Sequence, residues 1–339
     1  MLTRRTAAAA LLALTLPLGA SAQGTPLLFN SFIQGQHPVN TRIFRPWAED
    51  VAKATEGRVK FEIPLTSLSA PPQQLDGVMK GVFDVAYQFH GFLAPKVKLA
   101  QLAHLPGVNT TSRGSSIALW RTHEKFFKQA DEYKEVHLLG LFVALPGPIF
   151  SMKGPIENVG QLKGVKIYGL PGVPARILEA AGGGVVAAPA VRSHEVISGG
   201  TVDAFAGYSV MDANAFKTLQ YAKHVTDMPG HLTAPAFALF MNKKKWEAIS
   251  PQDREAITKL SGEAISARFA VYDELEAKAR ADAVAAGVQF KMASPAFTAD
   301  LTKLAEPLVA GWLADAKSLG VDGAAALEFY KQEAQKNAR

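Results

Sequence analysis

The sequence predicts an α/β protein of two similar lobes, with one long helix crossing both. Three observations point there. Strand-like and helix-like segments alternate from Pro26 to Ala206, the βαβ logic that produces mostly parallel sheets with helices on their faces. One helix–Gly–Asp–strand unit occurs twice: LDGVMKGVFDVAYQFH (75–90) lies over HEVISGGTVDAFAGYS (194–209) without a gap. A helical stretch from 250 to 287 then follows, longer than one lobe of this size is wide.

The elements follow in order. Pro26–Phe32 is an apolar run that reads as a buried strand. Over 39–56, Ile43, Phe44, Trp47, Ala48 and Val51 recur at helical spacing up to Gly57, with Pro46 demanding a kink or a later start. Arg58–Ile63 alternates as a strand, Gln73–Lys80 is a short helix and Phe83–Phe89 a strand. The second half repeats this: strand Val165–Tyr168, helix Pro174–Ala181, strand Val185–Ala188, helix Arg192–Ser198, strand Val202–Ala206. In the repeat, Gly81 and Gly200 suit the left-handed position after a helix. Ser250 as N-cap, Pro251 in the first turn and Asp253 beside them open the long helix, which the sequence allows to run to Gly287, roughly 50 Å. Helices near 297–318 and 322–336 finish the chain.

The repeat also places side chains. Gln88, Phe89 and His90 correspond to Gly207, Tyr208 and Ser209. Both trios end parallel strands, where open α/β sheets bind ligands, so each lobe offers one trio to a shared cleft.

Composition narrows the function classes. The chain has 339 residues, 48% apolar and 19% charged, enough for one large or two medium cores and too apolar for disorder. Residues 1–22 carry Arg4 and Arg5, the apolar run Ala7–Leu18 and Ala20-Ser21-Ala22 before Gln23, which reads as a secretory signal. The arginine pair leaves the Sec and twin-arginine routes both open. No later run approaches ~20 apolar residues, so the mature chain is expected not to be membrane-embedded. Absence of cysteine excludes disulfides and thiol chemistry; in an exported chain this points to a bacterial periplasm. Net charge falls from +6 to +4 with the leader's two arginines. Lys243-Lys244-Lys245 reads as a solvated helix start, not a nucleic-acid patch, and no nucleic-acid partner is expected.

No catalytic signature is found. HExxH, Walker and GxSxG patterns are missing; Gly207-Tyr208-Ser209-Val210-Met211 has methionine where a nucleophile elbow needs glycine. Gly182-Gly183-Gly184 follows a helix, the wrong order for a phosphate cradle. No enzyme activity, cofactor or metal is expected.

The runs PIENVGQLKGVKI, HEVISGGTVDAF, LQYAKHVTDMPGH and APAFALFMNKKKWEAISPQDREAI, in this order and spacing, resemble the solute-binding proteins of tripartite ATP-independent periplasmic (TRAP) transporters, DctP type. The resemblance covers roughly residues 25 to 320. It implies a two-lobed periplasmic binding protein, type II-like, with a hinge and a long lobe-crossing helix, that closes on a small solute, usually an organic acid. The closed form then delivers the solute to small and large integral-membrane permease subunits. The implied layout is a signal peptide at 1–22; lobe 1 at 23–145 plus 230–268; lobe 2 at 146–229 plus 269–320; and a C-terminal helix at 321–339. Other readings are a two-lobed receptor for an ATP-driven importer or sensor kinase, and an exported enzyme with an unrecognised site.

The chain departs from the resembled pattern where the solute is held. That pattern places a carboxylate-clamping arginine after lysine–isoleucine; here stands Tyr168. A second arginine before the proline–isoleucine pair is replaced within Leu145-Pro146-Gly147-Pro148, and an asparagine is replaced near Gly207. Either the solute is less charged or more aromatic than a dicarboxylate, or a displaced cation holds it. The candidate ligand-binding residues are Tyr168, Gln88, His90, Tyr208, His231, Arg192, Arg176, Phe32 and Phe150.

Overall fold

The computed structural model describes residues 26–228 and 232–339. The signal-peptide expectation for 1–22 and the candidate His231 lie outside the described residues. Eleven strands are described: β1 (Leu27–Asn30), β2 (Phe61–Glu62), β3 (Val85–Phe89), β4 (Val136–Val143), β5 (Ile149–Ser151), β6 (Lys166–Gly169), β7 (Gly184–Ala187), β8 (Ala204–Ala206), β9 (His224–Asp227), β10 (Ala236–Asn242) and β11 (Gln289–Met292). They form two sheets, ordered β2-β1-β3-β10-β4 and β11-β9-β5-β8-β6-β7. β1, β2 and β3 run parallel and β10 runs against both β3 and β4. In the second sheet β6, β7 and β8 are parallel and β5 is reversed. The two copies of the repeat are thus the helix before β3 and the helix before β8. Gly81 and Gly200 take positive φ, 72° and 68°, at the same point in each.

Each sheet anchors one lobe. β3 lies between β1 and β10 and all five of its residues are buried, as expected of a strand covered on both faces. Ile43, Phe44, Trp47 and Val51 pack on Phe29 from the helical region Val39–Ala54. The kink demanded by Pro46 is a change of helix type, a π-turn over Val39–Phe44 passing into an α-helix over Arg45–Ala54. The chain passes from the first sheet to the second after β4 and returns before β10. The two passing segments run side by side, with Ala144 N–H donating to Pro235 O at 2.8 Å.

One expectation is corrected. The stretch 250–287 is not one helix but three: Pro251–Leu260, Glu263–Ala267 and Ala270–Ala285. Ser261 is extended and Gly262 has φ +59°. Gly262 N–H leaves the helical pattern to donate to Leu139 O at 2.7 Å, and Trp120 packs so tightly that a Cβ on residue 262 would lie 2.7 Å from its ring.

Two other elements do the crossing. On helix Ala270–Ala285, Asp273 accepts from Ser112 N–H (2.7 Å) and Arg113 N–H (3.1 Å) at the start of helix Ser112–Thr122, which packs on the first sheet. One turn on, Glu276 accepts from Met211 N–H at 2.7 Å, at the start of helix Val210–Ala215 on the second. Helix Pro295–Ser318 buries Phe297, Leu301 and Ala305 in the second lobe's core and Trp312 and Ala316 in the first's. Among the described residues no helix is long and apolar enough to cross a membrane.

Candidate functional site

A cavity lies between the lobes, at the carboxyl ends of the parallel strands of both sheets. The first lobe contributes Phe32 after β1, Tyr87 and Phe89 of β3, and Phe142 of β4 beside Phe237 of β10. The second contributes Leu170 after β6, Tyr208 after β8, and Phe216. The rings support one another. Phe142 stacks on Phe237 (4.9 Å between centroids) and on Phe269 (4.2 Å), and Phe32 lies 4.7 Å from Tyr87. Contacts of this kind add about 0.5–1.5 kcal/mol each beyond burial and hold the walls in place.

The polar groups are few. His37, in the loop after β1, faces Asp212 of helix Val210–Ala215 across the cleft, Nε2 to Oδ1 at 3.4 Å. Val39 N–H donates to His37 Nδ1 at 3.2 Å, which leaves the ring's proton on Nε2. Ser209 caps its helix by accepting from Asp212 N–H at 3.0 Å, and its hydroxyl donates to Asp212 Oδ2 at 3.1 Å. Tyr87 OH meets Ser31 Oγ at 3.1 Å and Tyr208 OH meets Thr218 Oγ1 at 3.2 Å. Burial pushes the hydroxyls of Tyr87, Tyr208 and Tyr272 up, so all three stay neutral donors at physiological pH.

The nine sequence candidates divide. Phe32 and Tyr208 line the cavity. Phe150 and Tyr168 stand behind its wall. Phe150 stacks on Phe205 at 4.5 Å, and Tyr168 lies 5.9 Å from Tyr208 with its hydroxyl donating to Ala188 O at 2.8 Å. Gln88 points to the other face of β3 and fastens the preceding helix, accepting from Leu75 N–H (2.7 Å) and donating to Pro72 O (2.8 Å). His90 is buried away from the cavity, 2.7 Å from Tyr133 OH, and burial lowers its pKa well below the usual imidazole range. Arg192 is exposed and paired with Glu195 (2.6 Å). Arg176 is exposed on a separate groove beside Lys98 and Asp315. Neither arginine is displaced into the cavity.

Sequence reasoning passed over Tyr87, His37, Asp212, Phe237 and Tyr272. Tyr87 was legible: two residues before Phe89 on one strand, it shares Phe89's face. His37 and Asp212 carried no signal, since they meet only when the lobes do.

The model of the bacterial extracellular solute-binding proteins, family 7, matches residues 29–315. The chain is 54% identical to the outer membrane transporter protein TsaT of Comamonas testosteroni over 98% of both chains. Here, among the described residues, both sheets are open, with β2 and β4 as edges of one and β11 and β7 of the other, so the strands do not close into a membrane barrel. The fold superposes on a TRAP periplasmic solute-binding protein of Bordetella bronchiseptica solved with (R)- and (S)-mandelate. That match has a TM-score of 0.88 and 29% identity, covering 92% of this chain and 99% of that one. A marine metagenome TRAP solute-binding protein specific for aromatic acid ligands, solved with 3-hydroxybenzoate, superposes with a TM-score of 0.85 and 26% identity, covering 94% of this chain and all of that one. With the two-lobed architecture and a cleft at the strand ends already in place, the family match settles the assignment: the chain belongs to the bacterial extracellular solute-binding proteins of family 7, the receptors of TRAP transporters.

Proposed function

We propose that this receptor captures a small aromatic carboxylic acid and delivers it to the small and large membrane subunits of a TRAP permease. The observation that carries this is the cavity wall: aromatic rings from both lobes converge on one space with a narrow polar end. Flat rings reward a flat apolar solute by burial and offset stacking. A solute that touches both lobes stabilises the closed form by its differential affinity for it.

An apolar cavity of about 150 Å³ accepts benzene. The present one encloses about 40 Å³. A ring is therefore admitted by parting the lobes, since Phe32 and Phe89 belong to one and Tyr208 and Phe216 to the other. The hinge in this reading is the pair of passing segments, dividing the chain into 23–145 plus 230–268 and 146–229 plus 269–320, with 321–339 as a terminal helix. Residues 1–22 serve as the export leader, and the role calls for binding without turnover.

The mature protein should be titrated calorimetrically and by thermal shift with benzoate, mandelate, 3-hydroxybenzoate and succinate. A ring acid at a hundred times its Kd should add about 2.7 kcal/mol of stability, with succinate adding far less. Stabilisation by succinate and by none of the ring acids would sink the aromatic assignment.

A further inference from the structure

The cavity lacks a cation. Among the described residues its walls contain no lysine or arginine, and its one carboxylate is Asp212, 5% exposed. Asp212 Oδ1 faces only His37 Nε2, at 3.4 Å. His37 Nδ1 is itself taken, accepting from Val39 N–H at 3.2 Å. The other titratable groups around Asp212 are Tyr87 of β3, Tyr208 ahead of its own helix, and Tyr272 and Glu276 of helix Ala270–Ala285. Glu276 has its own cation, Arg280 Nε at 2.7 Å, and that guanidinium is also engaged by Asp227 at 2.8 Å. Among the described lining residues no lysine or arginine is left for Asp212 or for a solute anion.

A solute carboxylate in this cavity is a second negative charge in a dry, apolar space. Two carboxylates in such a site do not both stay ionised; one pKa rises and the pair shares a proton. We propose that Asp212 is the specificity-determining residue of this receptor, holding the solute's carboxylate through a shared proton, so that one proton enters the site with each acid bound. The solute anion, one proton from solvent and the Asp212 carboxylate become a hydrogen-bonded carboxyl–carboxylate pair, with no bond to carbon formed or broken. A proton thereby takes the place of the arginine whose position Tyr168 occupies. The inference rests on the aromatic-acid reading above.

The test is calorimetric titration of the mature protein, dialysed against chelator, with benzoate at pH 7.5 in buffers of different ionisation enthalpy. Close to one proton should be taken up per benzoate, and Kd should rise about tenfold per pH unit between pH 7 and 9. In Asp212→Asn the uptake should vanish and the affinity become flat with pH, whereas His37→Gln should keep the uptake. A wild type with no uptake and flat affinity, or one that binds only when a divalent cation is restored, overturns the proposal. So does an uptake lost in His37→Gln, which would put the proton on the imidazole. If Asp212→Asn does not fold, the wild-type and His37→Gln measurements decide in the same way. Binding of benzoate with no proton linkage leaves the aromatic reading standing and removes only this inference. Failure of every ring acid to bind at any pH removes the reading beneath it, and the inference with it.

Discussion

Tyr87 and Phe89 face the cavity and Gln88 between them faces away, because successive side chains on a strand alternate. In the second lobe Tyr168 is fully buried behind the wall and its hydroxyl is already spent on Ala188 O. Tyr168→Phe removes that hydrogen bond and leaves the ring packing intact. It should cost about 1 kcal/mol of stability, read by urea unfolding, and leave the affinity for a ring acid within twofold. A tenfold loss of affinity would mean that the hydroxyl turns to the solute. The resemblance implied that residue 168 stands where the family holds its solute, which made Tyr168 the first candidate. That tyrosine there would reach backwards to a loop carbonyl was not legible, since its partner Ala188 lies beyond a helix and a strand.

Helix ends were read well wherever a local signal existed. Ser250 accepts from Asp253 N–H at 3.1 Å, as an N-cap serine should. Gly262 was missed, because a single glycine in a helical pattern costs only about 1 kcal/mol and gives no sign that its N–H is claimed by Leu139 O on β4. Ala at this position must adopt φ +59° and displace the Trp120 ring. Gly262→Ala should destabilise the protein by about 1–3 kcal/mol, measured as a lowered urea midpoint with unchanged m-value. An unchanged midpoint would show that the stretch can run on as one helix. Asp273 and Glu276 carry a similar lesson. Three apart, they share a helix face, but only the packed structure hands each the start of a helix in a different lobe.

At the scale of the whole molecule, the segment that returns from the second sheet to the first is anchored by a neutral histidine. His104 Nε2 accepts from Ala236 N–H at 3.1 Å, and His104 O accepts from Thr233 Oγ1 at 3.0 Å. Burial lowers the His104 pKa to about 3. The native state therefore stays unprotonated where the unfolded chain, near 6.5, takes up a proton. The sign follows: this contribution is full above about pH 6.5 and is lost as pH falls toward 3. Relative to wild type, His104→Gln should flatten the stability profile between pH 6 and 4 by about one proton, on the order of 1.4 kcal/mol per pH unit. Parallel profiles for the two proteins in urea unfolding would show that His104 is charged when folded.

The sequence by itself determined the α/β class, the doubled helix–Gly–Asp–strand unit, the family and the end of each sheet at which the cavity lies. All of these rest on local periodicity, caps and glycines, or on runs long enough to be distinctive. Only the tertiary structure decided which side chains meet there. Phe32 and Tyr208 line the cavity, while Arg176 and Arg192 stand on the surface and His37 and Asp212 arrive from opposite lobes. The physical reason is that a site between two lobes is a set of contacts distant in sequence. Neither lobe alone contains the charge balance of the cavity, so the lack of a lysine or arginine beside Asp212 among the described lining residues becomes visible only when both walls are in place.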